Sequence, residues 1–355
     1  SAHIRSHAFR QPPFRGDAAG EETVMKLSVL DLVPVVEGGT VGQALAEAAL
    51  LAQVAERCGY QRYWVAEHHG MEGIAGAAVA VTLAHVGHHT STIRLGAGGI
   101  MLPNHNPLVI AEQFGTLDAL YPGRIDLGLG RAPGADQRIV RALRKEVNRA
   151  AEDFPQDVVE LQAQFAGDRQ VPLQATPGAG AKPQLWILGS SLFGAQLAAA
   201  LGLPYAFASH FAPDHLDAAL SLYRDRFQPS DALAKPYVMA AINVIAADTD
   251  DEAALLASSM DQSFVRLRSG NPGKLPPPVP GYRDTLPAPA LAMLEHMRQV
   301  SAIGSVATVR QRLAAFQQRT RADELIVSGS TFDPALRRRS LELTMQAAES
   351  LAEPA

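Results

Sequence analysis

From Met25 onward, short apolar runs alternate with longer amphipathic patterns, and the order repeats about eight times. Short apolar runs bounded by turn residues suit buried strands, while a period of roughly 3.6 residues suits helices. The alternation therefore predicts repeated βα units around a parallel sheet. The predicted strands are Lys26–Asp31, Gln61–Ala66, Ile93–Ile100, Arg124–Gly130, Gln184–Leu188, Tyr205–Ser209, Val238–Ala246 and Glu324–Ser328. In the first connection Leu45, Ala49, Ala52 and Ala55 share one helical face and Gly59 supplies a stop. A doubly wound sheet alternates in the same way, but eight units in one chain favour closure into a single (β/α)8 TIM barrel with insertions.

Composition narrows the function classes. The chain has 355 residues, 47% hydrophobic and 19% charged, the balance of one large globular core. Residues 1–24 lack periodic apolar pattern and the apolar core of a signal peptide, and read as a flexible extension or expression remnant ahead of a domain spanning 25–355. Apolar runs such as Val238–Ala247 are too short to cross a bilayer as a helix, so no membrane partner is expected. A net charge of −5 without a basic block argues against nucleic acid and favours small-molecule partners. The single cysteine, Cys58, sits in a helical pattern and fits packing in a reducing cytoplasm. Two segments interrupt the repeat: Ala132–Gln164, with room for two helices, and a Pro-rich insertion at Asn271–Pro289. Proline there argues against regular helix or central strand, and a loop of that length suits either a cover over a pocket or an irregular surface loop without a role.

In a barrel, functional side chains gather where each strand ends. Glu67, His68 and His69 follow the second strand, and adjacent residues on an extended chain face opposite ways. One histidine at most then enters the mouth, the pair chelates metal poorly, and no metal site is expected. A histidine so placed serves as acid, base or hydrogen-bond donor, or simply braces a loop. Gly98 and Gly99 end the third strand, which suits either a bend or close approach of a flat ring to the main chain. On the fourth strand Ile125, Leu127 and Leu129 share one face, leaving Gly128 and Gly130 on the other as space inside the mouth. Arg131 follows, able to hold a phosphate or form a surface salt bridge. Gly128, Gly130 and Gly134 depart from dinucleotide-fingerprint spacing. Gly189, Ser190 and Ser191 precede a helical pattern, either as an ordinary cap or as an anion site built from free N–H groups. His210 and Asn243, at the sixth and seventh strands, are open between lining the mouth and packing.

Several of these segments form a joint pattern: Tyr63-Trp64-Val65-Ala66-Glu67-His68-His69, Leu95 to His105, Glu112 to Asp118, Pro122 to Arg131, and Gly189-Ser190-Ser191. With them, the chain from about Met25 to Glu349 resembles the luciferase-like flavin-dependent oxidoreductases, in particular the bacterial branch of luciferase-like monooxygenases. The resemblance implies a barrel that binds FMN, its phosphate held by Arg131 and by the Gly189, Ser190 and Ser191 loop. It implies a catalytic His68 beside the flavin, and Gly98 and Gly99 beneath the ring with a non-proline cis peptide. Gly130 stands where luciferases carry a reactive cysteine, which argues against light emission. The implied reaction uses reduced FMN and O2 to oxidise a small organic substrate, in a homodimer. The sequence displays no NAD(P)H fingerprint, so a separate flavin reductase is expected to supply the reduced cofactor. Two alternatives accompany this reading: deazaflavin-dependent hydride transfer, and flavin binding without turnover.

Overall fold

A computed structural model describes residues 25–131, 142, 147–169 and 171–349. The expected extension at 1–24 and most of 132–146 lie outside the described residues. Nine strands alternate with ten helices in the described chain: β1 (Leu27–Asp31), α1 (Val41–Arg57), β2 (Arg62–Val65), α2 (Val79–His88), β3 (Arg94–Met101), α3 (Pro107–Leu120), β4 (Ile125–Gly130), α4 (Val147–Ala166), β5 (Gln184–Gly189) and α5 (Leu192–Leu201). The order continues with β6 (Tyr205–Phe207), α6 (Leu216–Arg226), β7 (Val238–Ala246), α7 (Asp250–Arg268), α8 (Ala288–Arg298), β8 (Ser301–Gly304), α9 (Val306–Thr320), β9 (Glu324–Ser328) and α10 (Pro334–Glu349). Every strand pair is parallel, and β1 to β7 close through β9 back onto β1 as an eight-stranded barrel.

The expected barrel is present, with one strand more than the sequence pattern suggests. β6 pairs with β7 only along Val238–Ala240, so the second half of the nine-residue β7 has a free edge, and β8 takes it by pairing with Asn243–Ala246. Four residues with serine and glycine at the ends carry too little apolar pattern to stand out. The sixth strand is also shorter than expected, stopping at Phe207.

Local signals explain the helix starts and stops. Thr40 and Gln43 form a capping box on α1, and the Thr249 hydroxyl accepts from Glu252 N on α7, whose first turn is acidic. Gly202 ends α5 in the left-handed conformation at φ 62°. The Pro-rich insertion differs from expectation. It includes a short 3-10 turn at Tyr282–Thr285, and α8 starts inside it at Ala288 with Pro289 in the first turn. A proline is tolerated there because that N–H has no helical partner. Leu275, buried, exchanges backbone hydrogen bonds with Val35 and Glu37, which ties the insertion to the loop after β1. No described helix is long and apolar enough to cross a membrane.

Strand alternation divides the core in two. Residues such as Val29, Tyr63, Leu95, Leu127 and Ile187 pack outward under the helices, whereas Leu30, Trp64, Trp186, Met239, Ala241 and Ile326 fill the barrel interior. The floor of that interior is ionic. Arg62 donates to Glu324 (3.0 Å), Asp126 (2.9 Å) and Gln184 (2.9 Å), all buried. Arg94 adds a second cation on Asp126, and Trp64 Nε1 donates to the same carboxylate. Burial alone would raise the Asp126 carboxyl, but Arg94 and Arg62 outweigh it and hold it below its usual range. The strand ends opposite this ionic floor are where a parallel barrel carries its functional side chains.

Candidate active site

Glu67, at the end of β2, is the organiser of one side of the mouth. Its buried carboxylate meets His69 Nε2 at 2.5 Å and His105 Nε2 at 2.8 Å, and accepts the Met101 N–H at 3.0 Å. Burial pushes this carboxyl up, yet the hydrogen bonds from His105, His69 and Met101 prevail and hold it below the ordinary glutamate value. The loop after β2 is thereby locked to the end of β3. The ligand atoms of Glu67, His69 and His105 all lie within 4.8 Å of one another, a set able to hold a metal. Sequence reasoning missed this cluster, because His105 lies 36 residues beyond His69 and only the fold joins them.

His68 takes no part in that lock. It is half-buried, and burial first, with the neighbouring His69 ring, lowers its imidazole despite the opposing pull of Glu67. The ring is therefore mainly neutral near pH 7, as suits a group that exchanges a proton or hydrogen bond.

β3 reaches the mouth with a cis peptide at Gly98–Gly99 and a register shift against β4 between Gly98 and Ile100. The glycines here leave less room than the alternation suggests. A Cβ on Gly128 would stand 2.3 Å from the Ala97 carbonyl oxygen, and one on Gly99 would stand 2.7 Å from the Gly128 carbonyl oxygen. At Gly128 the missing side chain thus admits the neighbouring backbone and not a ligand. Gly130 differs, since a Cβ there comes close only to the end of Met101, at 3.2 Å, with the Ile100 carbonyl oxygen at 3.9 Å.

Arg131 leaves β4 exposed and lays its guanidinium over the Phe193 ring, 4.1 Å to the centroid. Phe193 belongs to the first turn of α5, so Arg131 stands beside the helix start. Ser191 is the N-cap, extended, and its side chain makes no capping bond. The first-turn N–H groups thus carry no side-chain cap from it. Gly189 and Gly194 pack face to face, a Cβ on either falling 3.4 to 3.5 Å from the other's Cα, which draws the helix start close to the end of β5. Strand pairing makes β4 and β5 neighbours, so Arg131 and the Gly189-Ser190-Ser191 loop lie side by side at the strand ends.

A parallel barrel with a plugged floor and a mouth framed by an imidazole, a glycine-rich strand end and a cation beside a helix start defines the class of (β/α)8 enzymes that work at their strand ends. The profile of the luciferase-like monooxygenase family matches residues 25–323, and the chain belongs to that family. A luciferase-like monooxygenase of Escherichia coli K12 is 50% identical over 331 residues, covering 93% of this chain and 99% of that one. The N-acetyl-S-alkylcysteine monooxygenase of Bacillus subtilis is 41% identical over 191 residues, covering 52% of this chain and 57% of its own length. Among solved structures, apo-MsnO8 superposes with a TM-score of 0.82 at 34% identity, over 93% of this chain and all of that one.

Proposed function

We propose that the chain is an FMN-dependent monooxygenase that uses reduced FMN and O2 to oxidise a small organic substrate. The observation that carries the cofactor is Arg131 stacked on Phe193 beside the uncapped start of α5. Guanidinium and helix N–H groups together suit a phosphate dianion. Arg131, Gly189, Ser190 and Ser191 hold the phosphate in this reading, Gly98 and Gly99 supply bare backbone to the flat ring, and Gly130 leaves its edge open to the mouth. When bound, FMN supplies the redox chemistry: one atom of O2 enters the substrate, the other leaves as water, and reduced FMN returns oxidised.

His68 is the catalytic residue of this reading. Half-buried and mainly neutral, its imidazole accepts or returns a proton at the strand end. Glu67, with His69 and His105, keeps the two flanking loops in register and thereby fixes the His68 backbone. A separate reductase delivers the reduced flavin, and the working form is a cytoplasmic homodimer. The relative from Bacillus subtilis suggests N-acetyl-S-alkylcysteines as the first substrates to try.

The test begins with titration of FMN and riboflavin, in which FMN should bind more tightly. Chemically reduced FMN, 18O2 and an N-acetyl-S-alkylcysteine, with ketones and amines as further substrates, then follow. One 18O atom in a product is the expected result. Equal affinity for FMN and riboflavin, or consumption of O2 with label only in peroxide for every compound, would overturn the reading.

A further inference from the structure

His210 follows β6, and the order of the barrel puts β6 four strands from β2, on the opposite wall of the mouth from His68. Its backbone is pinned from both sides. Ala208 N donates to Gly189 O of β5, Ser209 Oγ donates to Ala241 O of β7 (2.5 Å), and Asn243 Nδ2 donates to the His210 carbonyl at 2.8 Å. Asn243 is itself buried on β7, between His210 and the Met297 sulfur at 3.4 Å. Yet the ring that this framework holds has a buried Nδ1 without a hydrogen-bond partner among the described residues. Buried polar atoms are nearly always paired, so an orphan on a fully braced segment calls for a missing partner.

We propose that His210 is the second imidazole of the reaction chamber, hydrogen-bonding through Nδ1 to the molecule held between it and His68. The inference rests on the monooxygenase reading and adds a residue on the far wall. Burial, aided by the nearby His68 ring, lowers the His210 imidazole to about 4, so it stays neutral in the working range. A neutral ring at this place suits a hydrogen bond to an uncharged polar group, such as an amide, carbonyl or hydroxyl of the substrate. Asn243 is the positioning residue: its amide fixes the His210 carbonyl and so the direction of the ring.

Two variants and one spectrum test the assignment. His210→Phe fills the volume without a polar atom, and His210→Asn places an amide near the position of Nδ1. With FMN affinity and thermal midpoint matching the wild type, His210→Phe should lower kcat/KM for an oxidised substrate by about three- to tenfold, and His210→Asn should restore most of it. Unchanged kcat/KM in His210→Phe would overturn the proposal, as would equal losses in both variants with a common fall in stability. A measurement without turnover separates this failure from failure of the reading beneath it. In protein labelled with 15N at the histidine rings, adding FMN should shift His68, and adding an oxidised substrate to the FMN-bound protein should shift His210. A His210 ring that stays unshifted when substrate is added removes it from the chamber, while no shift of His68 with FMN removes FMN from this mouth and the inference with it.

Discussion

The Arg131 guanidinium lies 4.1 Å from the centre of the Phe193 ring, which ties the end of β4 to the first turn of α5. The stacking holds the cation in place without neutralising it. If Arg131 binds the FMN phosphate, Arg131→Ala should weaken FMN about 10- to 100-fold, given roughly 1.5–3 kcal/mol for a charge-assisted hydrogen bond. Riboflavin should be much less affected. Fluorescence titration of both ligands checks this, and parallel losses would assign Arg131 to folding.

His68 and His69 should separate cleanly. His68→Ala should slow the chemical step roughly 10²–10⁴-fold in single-turnover mixing of reduced-flavin protein with O2 and substrate, with FMN affinity nearly intact. His69→Ala removes a partner of Glu67 at 2.5 Å and should lower the thermal midpoint more than the rate. Wild-type product formation without His68 would show that another group moves the proton.

The Glu67 lock predicts a pH-dependent stability difference. Its folded carboxyl sits below the ordinary glutamate value, so its contribution is fully present above that value and fades as pH falls through the folded one. Glu67→Gln should therefore be less stable than wild type at pH 7, by about 1–3 kcal/mol. The gap should narrow as pH falls below the ordinary carboxylate range. Urea denaturation at a series of pH values measures it, and a constant gap would contradict the assignment.

Gly128 and Gly130 look alike on β4 but should not behave alike. Gly128→Ala drives a Cβ to 2.3 Å from Ala97 O and 2.5 Å from Leu188, so it should displace the β3 end, destabilise the fold by about 1–3 kcal/mol and weaken FMN binding. Gly130→Ala comes close only to the flexible thioether end of Met101, with the Ile100 carbonyl oxygen at an ordinary 3.9 Å, and should be tolerated. Denaturation and FMN titration of the two variants decide it.

On the barrel floor, Arg62→Met should destabilise by about 3–5 kcal/mol, because Asp126 and Glu324 would keep buried charges with fewer partners. The guanidinium also lies 4.8 Å from the Trp186 ring centre. Loss of FMN affinity without loss of stability would relocate Arg62 from the floor to the site.

The strands and the barrel were legible in the sequence because buried strands and amphipathic helices have different periods, and eight apolar runs with intervening helical patterns leave few closures. The non-proline cis peptide at Gly98–Gly99 was expected from the family resemblance and is present, whereas the residues alone left Gly98, Gly99 and Arg131 open between structural and binding roles. Alternation also assigned Gly128 and Gly130 to the face opposite Ile125, Leu127 and Leu129. What alternation could not supply was distance across the barrel. Glu67 meets His105 and Arg62 meets Glu324 only once the sheet has closed, since each pair is far apart in sequence and shares no local pattern. The same holds for Gly128, read as open space from its strand alone and filled by the Ala97 backbone in the fold. Local sequence determines which way a residue points along its own strand; closure of the sheet decides what it meets there.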